Sequence, residues 1–199
     1  MRRRCKIFFT MPHSSKAWGF LPAASKATSS PRPTIFPSPN PEKQILQAMV
    51  TRCQKTVHHR PKPLQIYGWN LHQWITFASI VEKESSLTQE QPLISSVFHN
   101  RLKKNMRLQS DPTVIYGIEN YDGNIRKKDL LTPTPYNTYT QKGLPPGPIA
   151  SPGLSALKAS LYPENTDYLY FVANKAGSHV FSKSYAEHHQ AVQTYQLSR

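Results

Sequence analysis

Two glutamates close the most apolar stretch of the chain: Glu82 and Glu84 end LHQWITFASIVEKE, residues 71–84. On a helix both would lie at the negative end of the macrodipole, with Phe77 and Ile80 excluding water, and each effect disfavours the carboxylate and raises its pKa. A raised carboxyl is what a general acid needs at neutral pH. Residues two apart on a helix point about 200° apart, so only one of the pair can line a given site. Spacing does not choose between them, because Glu84 continues the Phe77/Ile80 row and Glu82 the Ile75/Ala78 row. Two solvated glutamates flanking Lys83 at a frayed helix end would fit the same pattern.

The elements that must position these groups read as follows. The helix carrying the glutamates starts after Asn70, a good N-cap, and its stripe of Leu71, Trp74, Ile75, Ala78 and Val81, widened by Phe77 and Ile80, predicts burial. Upstream, EKQILQAMVTRCQ spaces Ile45, Met49 and Cys53 as one helical face, with Pro41 before it. Downstream, Thr88 and Gln91 form a capping-box pattern ahead of the row Ile94, Val97, Phe98, Arg101 and Leu102, which predicts a helix ending near Lys103–Asn105. Asp111-Pro112 reads as an N-cap and first-turn proline, so DPTVIYGI is expected to be a short helix or a turn, and Tyr121–Asn124 a turn. TPTPYNTY reads as extended, residues 154–161 as helical, and Tyr168–Ala173 with His179–Ser182 as a hairpin across NKAG. Ser184 and Glu187 then cap a closing helix. Helices followed by one short antiparallel pair predict an α+β domain, a helical core with a small β element, and not a doubly wound α/β sheet.

The 199 residues, 38% of them hydrophobic, suffice for one globular domain plus something less ordered. Residues 1–41 hold no acidic side chain, and the run from Thr28 to Pro41 has prolines at 31, 33, 37, 39 and 41. That composition predicts a disordered basic leader over 1–41, with the folded domain over 42–199. The formal charge is +14, of which residues 1–60 contribute 11 basic groups against Glu42 alone. Because the excess lies mostly outside the predicted fold, nucleic acid is not the expected partner; a basic arm binding it would be carried by residues 1–60 and would weaken steeply with salt. Two cysteines, Cys5 and Cys53, exclude a disulfide scaffold, and no window approaches the roughly eighteen apolar residues of a membrane-spanning helix. His58-His59 and His188-His189 lack a third ligand at a suitable spacing, so no metal and no cofactor are expected.

Five segments together resemble one family: ASIVEKE (78–84), VFHNRL (97–102), MRLQSDPTVIYG (106–117), TPYNTY (134–139) and GLPPGPIASPG (143–153). In order and spacing they are similar to the catalytic domain of the YceG-like family of endolytic murein transglycosylases, from about residue 70 to 197. The resemblance implies that Glu84, the second glutamate of EKE, is the catalytic acid. It implies a substrate, peptidoglycan glycan strands, in which the β-1,4 bond between N-acetylmuramic acid and N-acetylglucosamine is cleaved without water. It also implies a place at the bacterial cell membrane, with the domain on the extracytoplasmic side, and the peptidoglycan synthesis machinery as a partner. The family's membrane anchor and LysM-like module have no counterpart here, so the chain reads as an N-terminally truncated copy.

An attack by the substrate's own hydroxyl explains why one glutamate suffices, since glycoside hydrolases normally need two carboxylates. The remaining motif residues are expected to bind sugar. Tyr136, Asn137, Thr138 and Tyr139 offer aromatic faces, an amide and hydroxyls, Gln109 and Tyr116 are similar candidates, and the loop from Gly143 to Gly153 is a preorganised wall. Asp111 is a substrate-binding candidate with two rival roles, a helix cap above Pro112 or the second carboxylate of a lysozyme-like hydrolase. The patch Arg126-Lys127-Lys128 reads as a solvated turn. An inactive remnant that keeps the groove but not turnover is the alternative of a different class.

Overall fold

In a computed structural model the described residues are 67–197, together with Lys43, Gln44, Gln47, Ala48 and Thr51 upstream, all five helical. The leader over 1–41 and the Ile45, Met49, Cys53 face lie outside the described residues. The chain divides into two units, Met1–Gln47 and Ala48–Arg199, and every element named below belongs to the second.

Helix α1 spans Leu71–Glu84, and Asn70 caps it as the sequence predicts: its side chain accepts from the Gln73 N–H while the Gln73 side chain accepts from the Asn70 N–H. Helix α2 spans Gln91–Lys103 with Glu90 at the N-cap position, two residues later than the Thr88 pattern predicts. The side chain that would have closed that capping box is engaged elsewhere. Gln91 reaches back to the Ser85 carbonyl at 3.4 Å, while Glu90, the residue before the helix, bonds His179. Helix α3 is Asp111–Tyr116 and α4 is Lys127–Leu131, the latter falling where the sequence predicts only a solvated turn. The segment TPTPYNTY is a series of turns and not extended chain. Helix α5 spans Leu154–Leu161. Strands β1 (Tyr170–Ala173) and β2 (His179–Ser182) pair antiparallel, with Phe171 opposite Phe181. The chain closes with α6, Tyr185–Val192, whose Ser184/Glu187 capping box is present, and a π-helical turn over Gln193–Leu197.

The broad apolar surface of α1 lets it serve two clusters. Phe77, Ile80 and Val81 join Ile94, Phe98, Leu108 and Ile149 in the main core, while Trp74 and Ala78 pack on Leu157 and Leu161 of α5. At roughly 1.5–3 kcal/mol for each large side chain removed from water, this helix is the centre of the folded unit. His99 sits in an aromatic nest of Tyr67, Trp69 and Phe77 with Nε2 2.8 Å from the Ser160 carbonyl, and burial lowers its pKa to about 4. Among the described residues no helix is long and apolar enough to cross a membrane. The helical core with one short antiparallel pair is the α+β architecture the sequence predicts.

Candidate active site

Glu82 and Glu84 leave the end of α1 on different faces and meet different partners. Glu82 turns to the loop before α5, where its Oε2 accepts from the Gly153 N–H at 3.1 Å. Glu84 turns to the start of α3, where the Ser110 hydroxyl donates to Oε1 at 2.5 Å. The geometry thus separates what spacing leaves open: one glutamate anchors a loop and the other faces the candidate site.

Glu84 keeps a partial opening to solvent but is otherwise enclosed by protein, and burial pushes its pKa up to about 7 from 4.5. The Ser110 hydrogen bond opposes the shift, the negative charge of Asp111 adds to it, and the cation of Arg101 opposes it. Arg101 is buried on α2, where its Nε donates to the Leu169 carbonyl and its terminal nitrogen to the Leu108 carbonyl, both at 2.6 Å. Its guanidinium lies 5.4 Å over the Tyr170 ring. A cation so fixed contributes to the field at Glu84 without forming an ion pair with it.

Asp111 is not the helix cap expected of it. Ser110 occupies the N-cap position in extended conformation, Asp111 is the first helical residue, and no side chain caps the helix. The Asp111 carboxylate instead accepts from the Tyr139 hydroxyl at 2.5 Å. Burial, with that hydrogen bond adding to it, holds the Tyr139 phenol well above its ordinary pKa.

The motif residues divide into those that face outward and those that hold the others. Gln109 and Asp111 are exposed, Tyr139 is half-buried, and the Tyr116 ring lies 4.7 Å from that of Tyr136. Asn137 and Thr138 are buried and fully engaged inside, in place of the sugar contacts expected of them. The Asn137 amide nitrogen reaches the carbonyls of Asp129, Leu130 and Thr132 at 3.1, 3.1 and 2.7 Å, and its Oδ1 accepts from the Tyr139 N–H at 2.8 Å. Thr138 Oγ1 accepts from the Ser110 N–H at 3.0 Å and lies 2.8 Å from Thr113 Oγ1. Gln109 has a positive φ of 50° and donates its N–H to the Thr138 carbonyl, a strained bend that turns the chain toward Ser110.

The 143–153 loop is stitched along one side of α1. His72 Nε2 lies 2.7 Å from the Pro146 carbonyl, the Ser79 hydroxyl accepts from the Ile149 N–H at 3.0 Å, and Glu82 holds Gly153. Gly147 brings the backbone close to two side chains: a Cβ there would stand 3.3 Å from the Tyr136 hydroxyl and 3.7 Å from the His72 ring. Two open concavities lie away from Glu84, one of about 470 Å³ beside Pro133–Pro135 and Lys142, the other of about 360 Å³ between His99 and Pro163. Neither is lined by Glu84. No group of three His, Cys, Asp or Glu side chains among the described residues is placed to hold a metal. Sequence reasoning passed over Ser110, although it stands inside the QSDPT segment between two residues it singled out.

The comparisons with known proteins converge on one group. The profile of the YceG-like family matches residues 31–194. The endolytic murein transglycosylase of Bacillus subtilis is 39% identical over 170 residues, which cover 84% of this chain and 47% of that protein. The endolytic murein transglycosylase of Streptococcus pneumoniae is 33% identical over 150 residues, 73% of this chain and 27% of that one. The chain therefore spans about half the length of the first relative and about a quarter of the second. A crystal structure of a yceG-like protein from Listeria monocytogenes superposes with a TM-score of 0.69 at 43% identity, covering 75% of this chain and 49% of that one. With the profile covering most of the sequence and the fold shared at that identity, the chain belongs to the YceG-like family.

Proposed function

We propose that the chain is a lytic transglycosylase that cleaves the β-1,4 bond between N-acetylmuramic acid and N-acetylglucosamine within peptidoglycan strands. The observation that carries this reading is the state of Glu84, an enclosed carboxyl with a pKa of about 7 and a single well-placed hydroxyl partner. Such a group can give a proton and take one back at neutral pH. In the forward step Glu84 passes its proton to the glycosidic oxygen as the bond to the anomeric carbon breaks. The 6-hydroxyl of the muramic residue then attacks that carbon, its proton returns to the Glu84 carboxylate, and a 1,6-anhydro end is left. Protons balance without water, and the acid is restored for the next turnover.

The exposed Gln109, Asp111 and Tyr116 and the half-buried Tyr136 and Tyr139 are the sugar contacts in this reading, with Asn137 and Thr138 fixing them from behind. The names of the relatives support the substrate class. The same reading puts the reaction outside the cytoplasmic membrane, where peptidoglycan lies, in company with the machinery that makes new strands.

The test is to incubate the full chain and Glu84→Gln with purified glycan strands and to weigh the products. Anhydro ends that fall by roughly 100- to 10,000-fold in the variant are expected, because the amide keeps the shape of the side chain without its proton. Products heavier by one water would replace this reading with a lysozyme-like hydrolase and make Asp111 its second carboxylate. Strand binding with no cleavage by the folded wild-type chain would leave a binding module.

A further inference from the structure

We propose that Ser110 is a positioning residue that decides which oxygen of Glu84 carries the transferable proton: its hydroxyl holds Oε1 as an acceptor and leaves Oε2 to deliver. The inference rests on the reading of Glu84 as the acid and adds a residue that the reaction itself does not name.

The assignment follows from how the Ser110 backbone is fixed and from where its hydroxyl donates. Ser110 is fully buried, and its Oγ lies 2.5 Å from Glu84 Oε1. Behind it, the Thr113 hydroxyl donates to the Ser110 carbonyl at 2.6 Å, so across their 2.8 Å separation the Thr138 hydroxyl must be the donor and Thr113 Oγ1 the acceptor. Thr138 Oγ1 also takes the Ser110 N–H at 3.0 Å, which fixes the backbone from which the Ser110 hydroxyl projects. The threonines thus engage only the backbone of Ser110, and its hydroxyl donates to Glu84 Oε1. A proton placed on Oε1 would turn that oxygen into a poor acceptor for the buried serine hydrogen at 2.5 Å, whereas a proton on Oε2 leaves Oε1 as the carbonyl oxygen, the stronger acceptor. The neutral acid therefore keeps its proton on Oε2.

The charged and titratable groups around Glu84 act on it from several elements. Asp111 on α3 is held by the Tyr139 hydroxyl and favours the neutral acid, whereas Arg101 on α2 favours the anion. Glu82 on the same helix is turned to Gly153. Adjacent residues of one segment, Ser110 and Asp111, thus pull the proton affinity of Glu84 in opposite directions, and Ser110 does so by a directional bond.

The experiment is a carbon-13 titration of the Glu84 carboxyl in the full chain, for wild type, Ser110→Ala and Ser110→Cys. Removing the donor destabilises the carboxylate, so the midpoint is expected to rise by on the order of one unit, about tenfold in proton affinity, in Ser110→Ala. A smaller rise is expected in Ser110→Cys, whose thiol is a weak donor of similar size. The cysteine variant keeps the test decisive should the alanine variant fail to fold. A midpoint that is unchanged or lowered in either folded variant overturns the inference. Because the titration needs no turnover, its failure is distinct from failure of the transglycosylase reading, which the product analysis judges. In turnover, kcat should fall in both variants while the alkaline limb of the pH profile moves up with the titration midpoint, a displacement that a merely structural serine would not produce.

Discussion

A carboxyl group held near neutrality burdens the fold whenever it ionises. Glu84 titrates at about 7 in the folded chain against 4.5 for its ordinary value, so the native state binds its proton more tightly than the unfolded state does. The contribution to stability is therefore complete below pH 4.5 and is lost as pH rises toward 7, after which the folded state carries the full penalty. Glu84→Gln should unfold later than wild type at pH 8, by about 1–3 kcal/mol, with the gain shrinking toward zero at pH 4. Denaturant titrations at the two pH values check this, and a pH-independent difference would contradict the assigned shift. With Glu84 as the proposed acid, activity should fall as pH rises through about 7, because only the protonated form can donate. The sequence shows that a glutamate at the end of an apolar helix is poised for such a shift, but not which one. Ser110 lies 26 residues from Glu84, beyond any local pattern, and only the family motif selects Glu84 in advance.

At the scale of elements, the helix that carries the acid also carries the fastening of the loop beside it. Ser79 is fully buried, accepts from the Ile149 N–H and donates to the Thr76 carbonyl. Ser79→Ala leaves that amide unpaired inside the protein and should lower stability by about 1–3 kcal/mol, measured by urea unfolding. A change within error would mean that the loop finds another acceptor. Helix α1 with its Asn70 cap, helix α5, the hairpin and the Ser184 cap are legible in sequence because their signals are local. The start of α2 is not, since the Gln91 side chain that completes the capping-box pattern at Thr88 is drawn to the Ser85 carbonyl instead. Nor are α4 and the turns around it, which depend on one Asn137 side chain collecting three carbonyls from the chain before it. A motif tyrosine can be read as a sugar platform from its type alone, whereas the internal duties of Asn137 and Thr138 depend on where the chain returns.

Across the folded unit, the hairpin is joined to the helices by a few strong polar contacts. Glu90 accepts from the His179 backbone N–H at 3.0 Å and lies 2.7 Å from its Nδ1, and Asn100 donates to the carbonyls of Thr166 and Tyr168 at 2.7 and 3.0 Å. Burial alone would raise the Glu90 pKa, but the hydrogen bonds and charge of His179 prevail and hold it below the usual carboxylate value. Its contribution to stability is therefore present above the ordinary value and is lost as pH falls through the depressed one. Glu90→Ala should cost about 2–3 kcal/mol near pH 7 and speed amide exchange in β1 and β2 more than in α1. Uniform acceleration across both regions would show instead that hairpin and helices open as one unit. The α+β class is legible from element order alone, but the contacts that bind its two parts join residues 66–89 positions apart, a separation no periodicity records.

The two faces of α1 carry a further consequence. His72, Ser79 and Glu82 grip the loop, Glu84 meets Ser110, and the angle between these tasks is fixed by the pitch of one helix. The segment from Ser79 to Glu84 therefore works as a protractor whose length matters more than its lettering. One residue inserted within it would rotate the acid by about 100° relative to the loop it must stay in step with, whereas an insertion in the exposed turn at Tyr121–Asn124 would disturb no such angle.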